Sequence, residues 1–105
     1  MSKKSVFYIT AGDAQEAEKL VRVLIEKKLA ACVNVIPKIK SFFYWENEVQ
    51  SEEEVLLFGK TKESLVEELV EEVQNQHSYE VPCTITWNIE GGNKSFLDWI
   101  GEETK

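Results

Sequence analysis

The chain has 105 residues, which is enough for one domain spanning residues 1–105 and too few for two. Nineteen acidic against 12 basic side chains give a net charge of -7, which disfavours nucleic acid and anionic lipid as partners. No apolar run approaches the roughly 20 residues of a membrane span, and residues 1–4 lead directly into a predicted strand without a signal-peptide pattern. We therefore expect a cytoplasmic protein that does not bind membranes.

The first predicted elements are a strand and a helix. Residues 5–11 are rich in β-branched and aromatic side chains and end at a glycine, which is typical of a strand followed by a turn. Asp13 is the predicted N-cap of the helix, and Glu16 has the spacing of its capping-box partner. Apolar residues then recur at helical spacing, so the helix is expected to end near Lys28.

The next segment predicts one long strand with an interruption. Residues 31–36 and 39–45 are both strand-like, and Pro37 between them predicts a break or a bulge. A turn is expected at residues 46–48. Residues 42–45 are four successive aromatics, and neighbouring side chains in a strand point to opposite faces. Some of these rings would be exposed to water in a monomer, which favours an oligomer.

The second half predicts two further strands and two helices. Residues 54–60 indicate a buried strand, and Thr61 is the expected cap of a helix that ends near Gln76. Residues 83–90 alternate apolar and polar side chains as a strand does. Two glycines and an asparagine at 91–93 then lead into a short terminal helix.

The order of these elements is β-α-β-β-α-β plus a terminal helix. This split pattern predicts an α+β fold, a ferredoxin-like sandwich in which two helices cover one face of an antiparallel sheet. The other face then requires a cover, which again favours self-association.

The single histidine is the first candidate for chemistry. His77 lies in a loop with Tyr79 and Glu80, and an imidazole near a carboxylate and a phenol could bind a metal or move a proton. The alternative is that His77 closes the helix end and Tyr79 packs against the sheet. Cys83 follows the same loop, so a Cys-His pair is a further hypothesis. Lys60, at a strand end, is either an anion ligand or a surface group.

Several segments together resemble one family in their order and spacing, the CutA divalent-cation tolerance family. They are residues 29–37, 41–46, 54–57, 60–61, 77–82 and 96–100. The resemblance implies a homotrimer of ferredoxin-like protomers, assembled as in the PII signalling proteins, that acts in binding or signalling without an established reaction. It also implies ligand-binding clefts between subunits, whose lining residues would be Cys32, Trp45, Lys60, Tyr79 and Glu80.

The resemblance also suggests a metal site. Copper-binding members use a cysteine in the first strand and two adjacent histidines, and Ile9, Gln76 and His77 occupy those positions here. The family's usual glutamate after Val-Pro is replaced by Cys83. A thiolate and an imidazole suit copper and zinc, so a shifted site for copper or another divalent cation would use His77 and Cys83.

The leading prediction of function is thus a non-enzymatic trimer that binds a metal or another small ligand in response to metal ions. The alternative is a small hydrolase that uses Cys83 and His77. An acylphosphatase is disfavoured because the one arginine, Arg22, lies within a predicted helix. An RNA-binding module is disfavoured because the chain is acidic and has no basic stripe.

Overall fold

The computed structural model describes residues 3–105 and has a mixed α+β architecture. Its elements follow the predicted order, with a terminal helix added to β-α-β-β-α-β. In chain order they are β1 (Lys4–Ala11), α1 (Ala14–Glu26), β2 (Cys32–Trp45), β3 (Glu48–Lys62), α2 (Val66–Gln76), β4 (Thr84–Asn88) and α3 (Lys94–Glu102). A short 3-10 turn, Glu63–Leu65, precedes α2.

The strands form one antiparallel sheet in the order β2-β3-β1-β4. The α+β class and the extra terminal helix are therefore confirmed. β3 begins at Glu48, six residues before its predicted start, because it pairs with β2 along the whole hairpin from Trp45 to Cys32. The early part of β3 is rich in glutamate, a poor strand former, and its pairing with the apolar β2 overrides that preference.

The bulge and the hairpin turn both lie where the sequence predicts them. The register of β2 against β3 shifts between Ile36 and Ile39, and Lys38 has a positive φ of 61°. At the hairpin, Glu46 and Asn47 have φ values of 50° and 65°. Two successive residues with positive φ match the twist of antiparallel strands, which makes this two-residue connection compact.

The core lies between the sheet and helices α1 and α2. Alternate residues of the two central strands point into it, and Phe7, Ile9 and Leu57 have no exposed surface. Gly59 pairs with Phe7, and a Cβ atom at Gly59 would lie 2.1 Å from the Phe7 ring. Glycine is thus required opposite this ring. Burial of each such large apolar side chain stabilises the fold by about 1.5–3 kcal/mol.

Three element boundaries differ from the predictions. Thr61 does not cap α2, because it lies within β3, where its buried hydroxyl donates to the Leu29 carbonyl at 2.6 Å. α1 ends at Glu26, shortly before Lys28 takes a positive φ of 57°. β4 is shorter than the predicted 83–90 strand, since its pairing with β1 runs only from Thr84 to Asn88.

Beyond the bulge, β2 and β3 extend as a hairpin arm, residues 38–53, that the helices do not cover. The register puts Phe42 and Tyr44 on one face of this arm and Phe43 and Trp45 on the other. All four rings are exposed, from 37% for Phe43 to 68% for Tyr44. The expectation that both faces carry exposed aromatics is confirmed. Among the helices of residues 3–105, none is long and apolar enough to cross a membrane.

Candidate functional site

His77 lies at the end of α2 with a completely buried imidazole. Its Nε2 is 2.7 Å from the Thr10 carbonyl oxygen, and its Nδ1 accepts the Tyr79 backbone N–H at 3.0 Å. A carbonyl can only accept a hydrogen bond, so the proton must lie on Nε2. Both ring nitrogens are therefore engaged by backbone groups in the neutral tautomer.

Glu16 ties two loops together beside this imidazole. Its carboxylate accepts from the Gly12 N–H at 3.1 Å and from the Ser78 N–H at 2.7 Å, and it lies 3.7 Å from His77 Nδ1. Burial acts to raise the pKa of Glu16, but the hydrogen bonds from Ser78 and Gly12 outweigh it and the pKa is lowered. Asp13 is the N-cap as predicted, accepting from the Glu16 N–H at 2.8 Å, whereas the Glu16 carboxylate bonds to the two loops.

Tyr79 connects the same loop to the sheet. Its hydroxyl donates to Glu54 Oε2 at 2.7 Å, and its ring lies 4.6 Å from the His77 ring, centroid to centroid. Glu54 is 7% exposed, so the phenol partners a buried carboxylate. Burial and the hydrogen bond to Glu54 raise the pKa of Tyr79 well above its usual range. The phenol therefore remains a hydrogen-bond donor at neutral pH.

Cys83 lies at the edge of this cluster and is half-buried. Burial and the nearby Glu54 carboxylate raise the pKa of its thiol, and a hydrogen bond with Thr10 offsets part of this effect. Since a thiolate is the nucleophilic and metal-binding form, the environment disfavours the reactive state of Cys83.

Cys32 and Lys60 form a separate group. They are opposite each other on β2 and β3, and Lys60 Nζ donates to Asn34 Oδ1 at 2.7 Å. Alternation along β3 puts Lys60 on the same face of the sheet as Glu54. Six residues separate the two along one strand, so the Lys60 group is about 20 Å from Glu54.

Trp45 and Glu80 are not part of either group. Trp45 pairs with Glu48 at the tip of the arm, again about 20 Å from Glu54 along β3. Glu80 has an exposed side chain in the loop after α2. Within one chain the structure therefore brings together only His77, Tyr79 and Cys83 from the predicted site.

A resident metal ion does not fit these residues in a single chain. Among residues 3–105, no group of three or more His, Cys, Asp and Glu side chains could hold an ion. Both nitrogens of His77 already have partners, and the Cys83 thiol holds its proton. The His77–Cys83 metal hypothesis thus has no support from the geometry of the protomer.

The sequence interpretation did not anticipate the roles of Thr10, Glu16 and Glu54. Thr10 takes part through its backbone carbonyl, which no sequence pattern reveals. Glu16 has capping-box spacing, which correctly located the helix start but concealed the contact with Ser78. The sequence places Glu54 at the beginning of a strand and in a family-like segment, but it does not predict the hydrogen bond that Glu54 accepts from Tyr79.

Comparison with known proteins identifies the family. The sequence profile of the CutA1 divalent ion tolerance proteins matches residues 5–103. The divalent-cation tolerance protein CutA of Archaeoglobus fulgidus is 48% identical over 95 residues, which cover 90% of this chain and 92% of that protein. The chloroplastic protein CutA 1 of Oryza sativa is 42% identical over 95% of this chain, which spans only 56% of the rice protein.

Solved structures agree with this assignment. The crystal structure of CutA1 from Oryza sativa has a TM-score of 0.97 at 40% identity and covers 99% of this chain and 95% of that chain. The structure described as the periplasmic divalent cation tolerance protein CutA from Archaeoglobus fulgidus has a TM-score of 0.94 at 45% identity, covering 97% and 99%. The chain therefore belongs to the CutA1 divalent ion tolerance protein family.

Proposed function

We propose that the protein is a homotrimer of ferredoxin-like protomers, arranged as in the PII signalling proteins, which binds a small ligand and catalyses no reaction. The observation that carries this proposal is the hairpin arm, where Phe42, Phe43, Tyr44 and Trp45 are exposed on two faces. Apolar patches of this kind mark protein interfaces. A closed symmetric assembly would cover the arm of every copy with the same contact.

The ligand sites in this proposal are clefts between subunits, lined by Cys32, Trp45, Lys60, Tyr79 and Glu80. Their spread supports an intersubunit location. Lys60 and Trp45 lie about 20 Å on either side of Glu54 along β3, too far apart to surround one small ligand within a protomer. A cleft that joins these groups requires residues from more than one copy.

The ligand class is a divalent cation, copper included, or a small molecule. Cys83 supplies the soft donor, and the remaining donors come from a second protomer. Because burial raises the pKa of this thiol, an incoming cation must displace a proton from it. Metal binding through Cys83 should therefore weaken as the pH falls.

The hydrolase alternative finds less support. A Cys-His nucleophile needs an imidazole nitrogen free to take the thiol proton. Nδ1 of His77 instead accepts from Tyr79 N–H and Nε2 donates to Thr10, and the pKa of the Cys83 thiol is raised.

As to location, Cys32 and Cys83 are both free thiols, which favours the reducing cytoplasm.

Calorimetric titration of copper and zinc into protein with an acetylated amino terminus tests the proposal. We expect Cys83→Ser to weaken binding at least about tenfold, since even partners outside the ligand set change metal affinity by that factor. Cys32→Ser removes the other thiol, which also lines the proposed cleft, and any loss of affinity in it measures the contribution of a second soft donor. Unchanged affinity in Cys83→Ser would remove this loop from the metal site. Turnover of an ester or phosphate substrate that Cys83→Ser abolishes would overturn the non-enzymatic assignment.

A further inference from the structure

His77 is the one histidine of the chain, and its side chain makes structural hydrogen bonds to two separate backbone segments. The imidazole has no exposed surface and joins two separate segments, the end of β1 through the Thr10 carbonyl and the loop after α2 through the Tyr79 N–H. Two residues further along, Tyr79 donates its hydroxyl to Glu54. The imidazole therefore lies directly between β1 and the loop that carries the phenol.

We infer that His77 is a positioning residue that does not ligate metal. In its neutral form, with the proton on Nε2, it holds residues 78–83 against β1 through its two hydrogen bonds. It thereby orients the Tyr79 hydroxyl toward Glu54. This inference deepens the proposed function, because it concerns the same candidate cleft. It assigns the metal-tolerance role of the chain to groups other than its histidine.

Metal ligation by His77 conflicts with both of its hydrogen bonds. A metal ion at Nε2 would displace the proton that the imidazole donates to Thr10, leaving a buried carbonyl without its partner. A metal ion at Nδ1 would take the lone pair that accepts the Tyr79 N–H. Removing one partner of a buried pair costs the full desolvation of the group left behind, so either binding mode is opposed by the fold.

The surrounding polar groups act in the same direction. Glu16 on α1 lies 3.7 Å from Nδ1, but its two carboxylate oxygens already accept the Gly12 and Ser78 N–H groups. The Tyr79 ring lies against the imidazole. Both Glu16 oxygens therefore have hydrogen-bonded partners, with which a metal ion at Nδ1 would have to compete.

The claim that His77 does not ligate metal is tested on the wild-type protein by nitrogen NMR of its single imidazole. The spectrum should have the pattern of a ring with a proton on Nε2 and an unprotonated Nδ1, as the hydrogen bonds to Thr10 and Tyr79 require. Titration with zinc, which is diamagnetic, should leave both nitrogen resonances unmoved even where calorimetry detects binding. A saturable shift of either nitrogen with zinc would overturn the inference while leaving the trimer and the cleft intact.

The claim that His77 positions Tyr79 is tested with two variants that each retain one of its hydrogen bonds and a third that retains neither. In His77→Gln a side-chain N–H can replace Nε2, in His77→Asn a side-chain oxygen can replace Nδ1, and His77→Ala retains neither. We expect the Tyr79 Cζ resonance and the exchange rate of its hydroxyl proton to change most in His77→Ala and less in the other two. Gln76→Ala is the matched control, because within residues 3–105 that side chain donates to Glu72 and not to the Tyr79 loop.

The result that overturns this claim is a Tyr79 resonance at the wild-type position in all three His77 variants with a folded amide spectrum. If His77→Ala fails to fold, the Gln and Asn variants decide the outcome. Each should shift Tyr79 from its wild-type position, and an unshifted Tyr79 in both would contradict the inference.

Discussion

The helix-covered part of the sheet and the hairpin arm contain the same kinds of residue in opposite environments. Phe7 and Leu57, under α1 and α2, have no exposed surface. Phe42 and Tyr44, in the arm, are 67% and 68% exposed. Both regions are regular antiparallel ladders, so the backbone pairing does not distinguish them.

The difference in exposure between these side chains shows which region stabilises a single chain. Core side chains gain the free energy of leaving water, about 25 cal/mol for each Å² of apolar surface buried. The arm gains little free energy from burial, and within residues 3–105 it is stabilised mainly by the β2–β3 pairing. The protein has an elongated shape, 46 × 25 × 22 Å. A second copy that covers the arm would give it the burial that the protomer does not provide.

The largest expected effect comes from Phe7→Ala. It removes a fully buried ring and should lower the free energy of unfolding by about 3–5 kcal/mol in a urea titration. Phe42→Ala removes the same atoms from the arm, and in the proposed trimer its effect should vanish on dilution to the monomer. The comparison fails if both losses are equal and independent of protein concentration.

Gly59→Ala tests how tightly the core is packed, in contrast to the exposed arm, by adding a methyl group to it. The added Cβ would come within 2.1 Å of Phe7 Cζ, so we expect a loss of about 1–3 kcal/mol or more. Adding Phe7→Leu to this variant should recover part of the loss, because the smaller side chain leaves room for the methyl group. A double variant whose loss is the sum of the single losses would mean that the two positions are not in contact.

A smaller effect, confined to acid pH, is expected for Glu16→Gln. Hydrogen bonds from Ser78 and Gly12 lower the pKa of Glu16 from its ordinary value of 4.5, so the carboxylate stabilises the fold above that pH. Its contribution is lost as the pH falls below 4.5 and through the lowered value. The stability difference between wild type and Glu16→Gln should therefore shrink between pH 7 and pH 3. Glu18→Gln, on an exposed face of α1, is the control.

The sequence was sufficient for the order of elements and the bulge near Pro37, because both follow from local patterns and proline geometry. It located the start of β3 six residues late, since the glutamates near Glu52 lack strand character until they pair with β2. The prediction that Thr61 caps α2 is wrong for a related reason. A threonine before a helix has the pattern of a cap, and only tertiary packing directs its hydroxyl to Leu29.

The candidate site was predictable in its residues more than in its roles. The loop of His77, Tyr79 and Cys83 was singled out from side-chain chemistry, and the structure does bring these three together. What chemistry they can perform depends on backbone partners such as the Thr10 carbonyl. Such contacts cannot be predicted from side-chain identities, which is why a histidine with the pattern of a ligand is engaged at both nitrogens.

The central claim, that a second and third copy cover the hairpin arm, is tested most directly by sedimentation equilibrium. At micromolar concentration the wild-type protein should have three times the mass of the chain, and the double variant Phe42→Ser with Tyr44→Ser should have a smaller mass with an unchanged circular dichroism spectrum. A wild-type protein that sediments as a monomer at these concentrations would contradict the account.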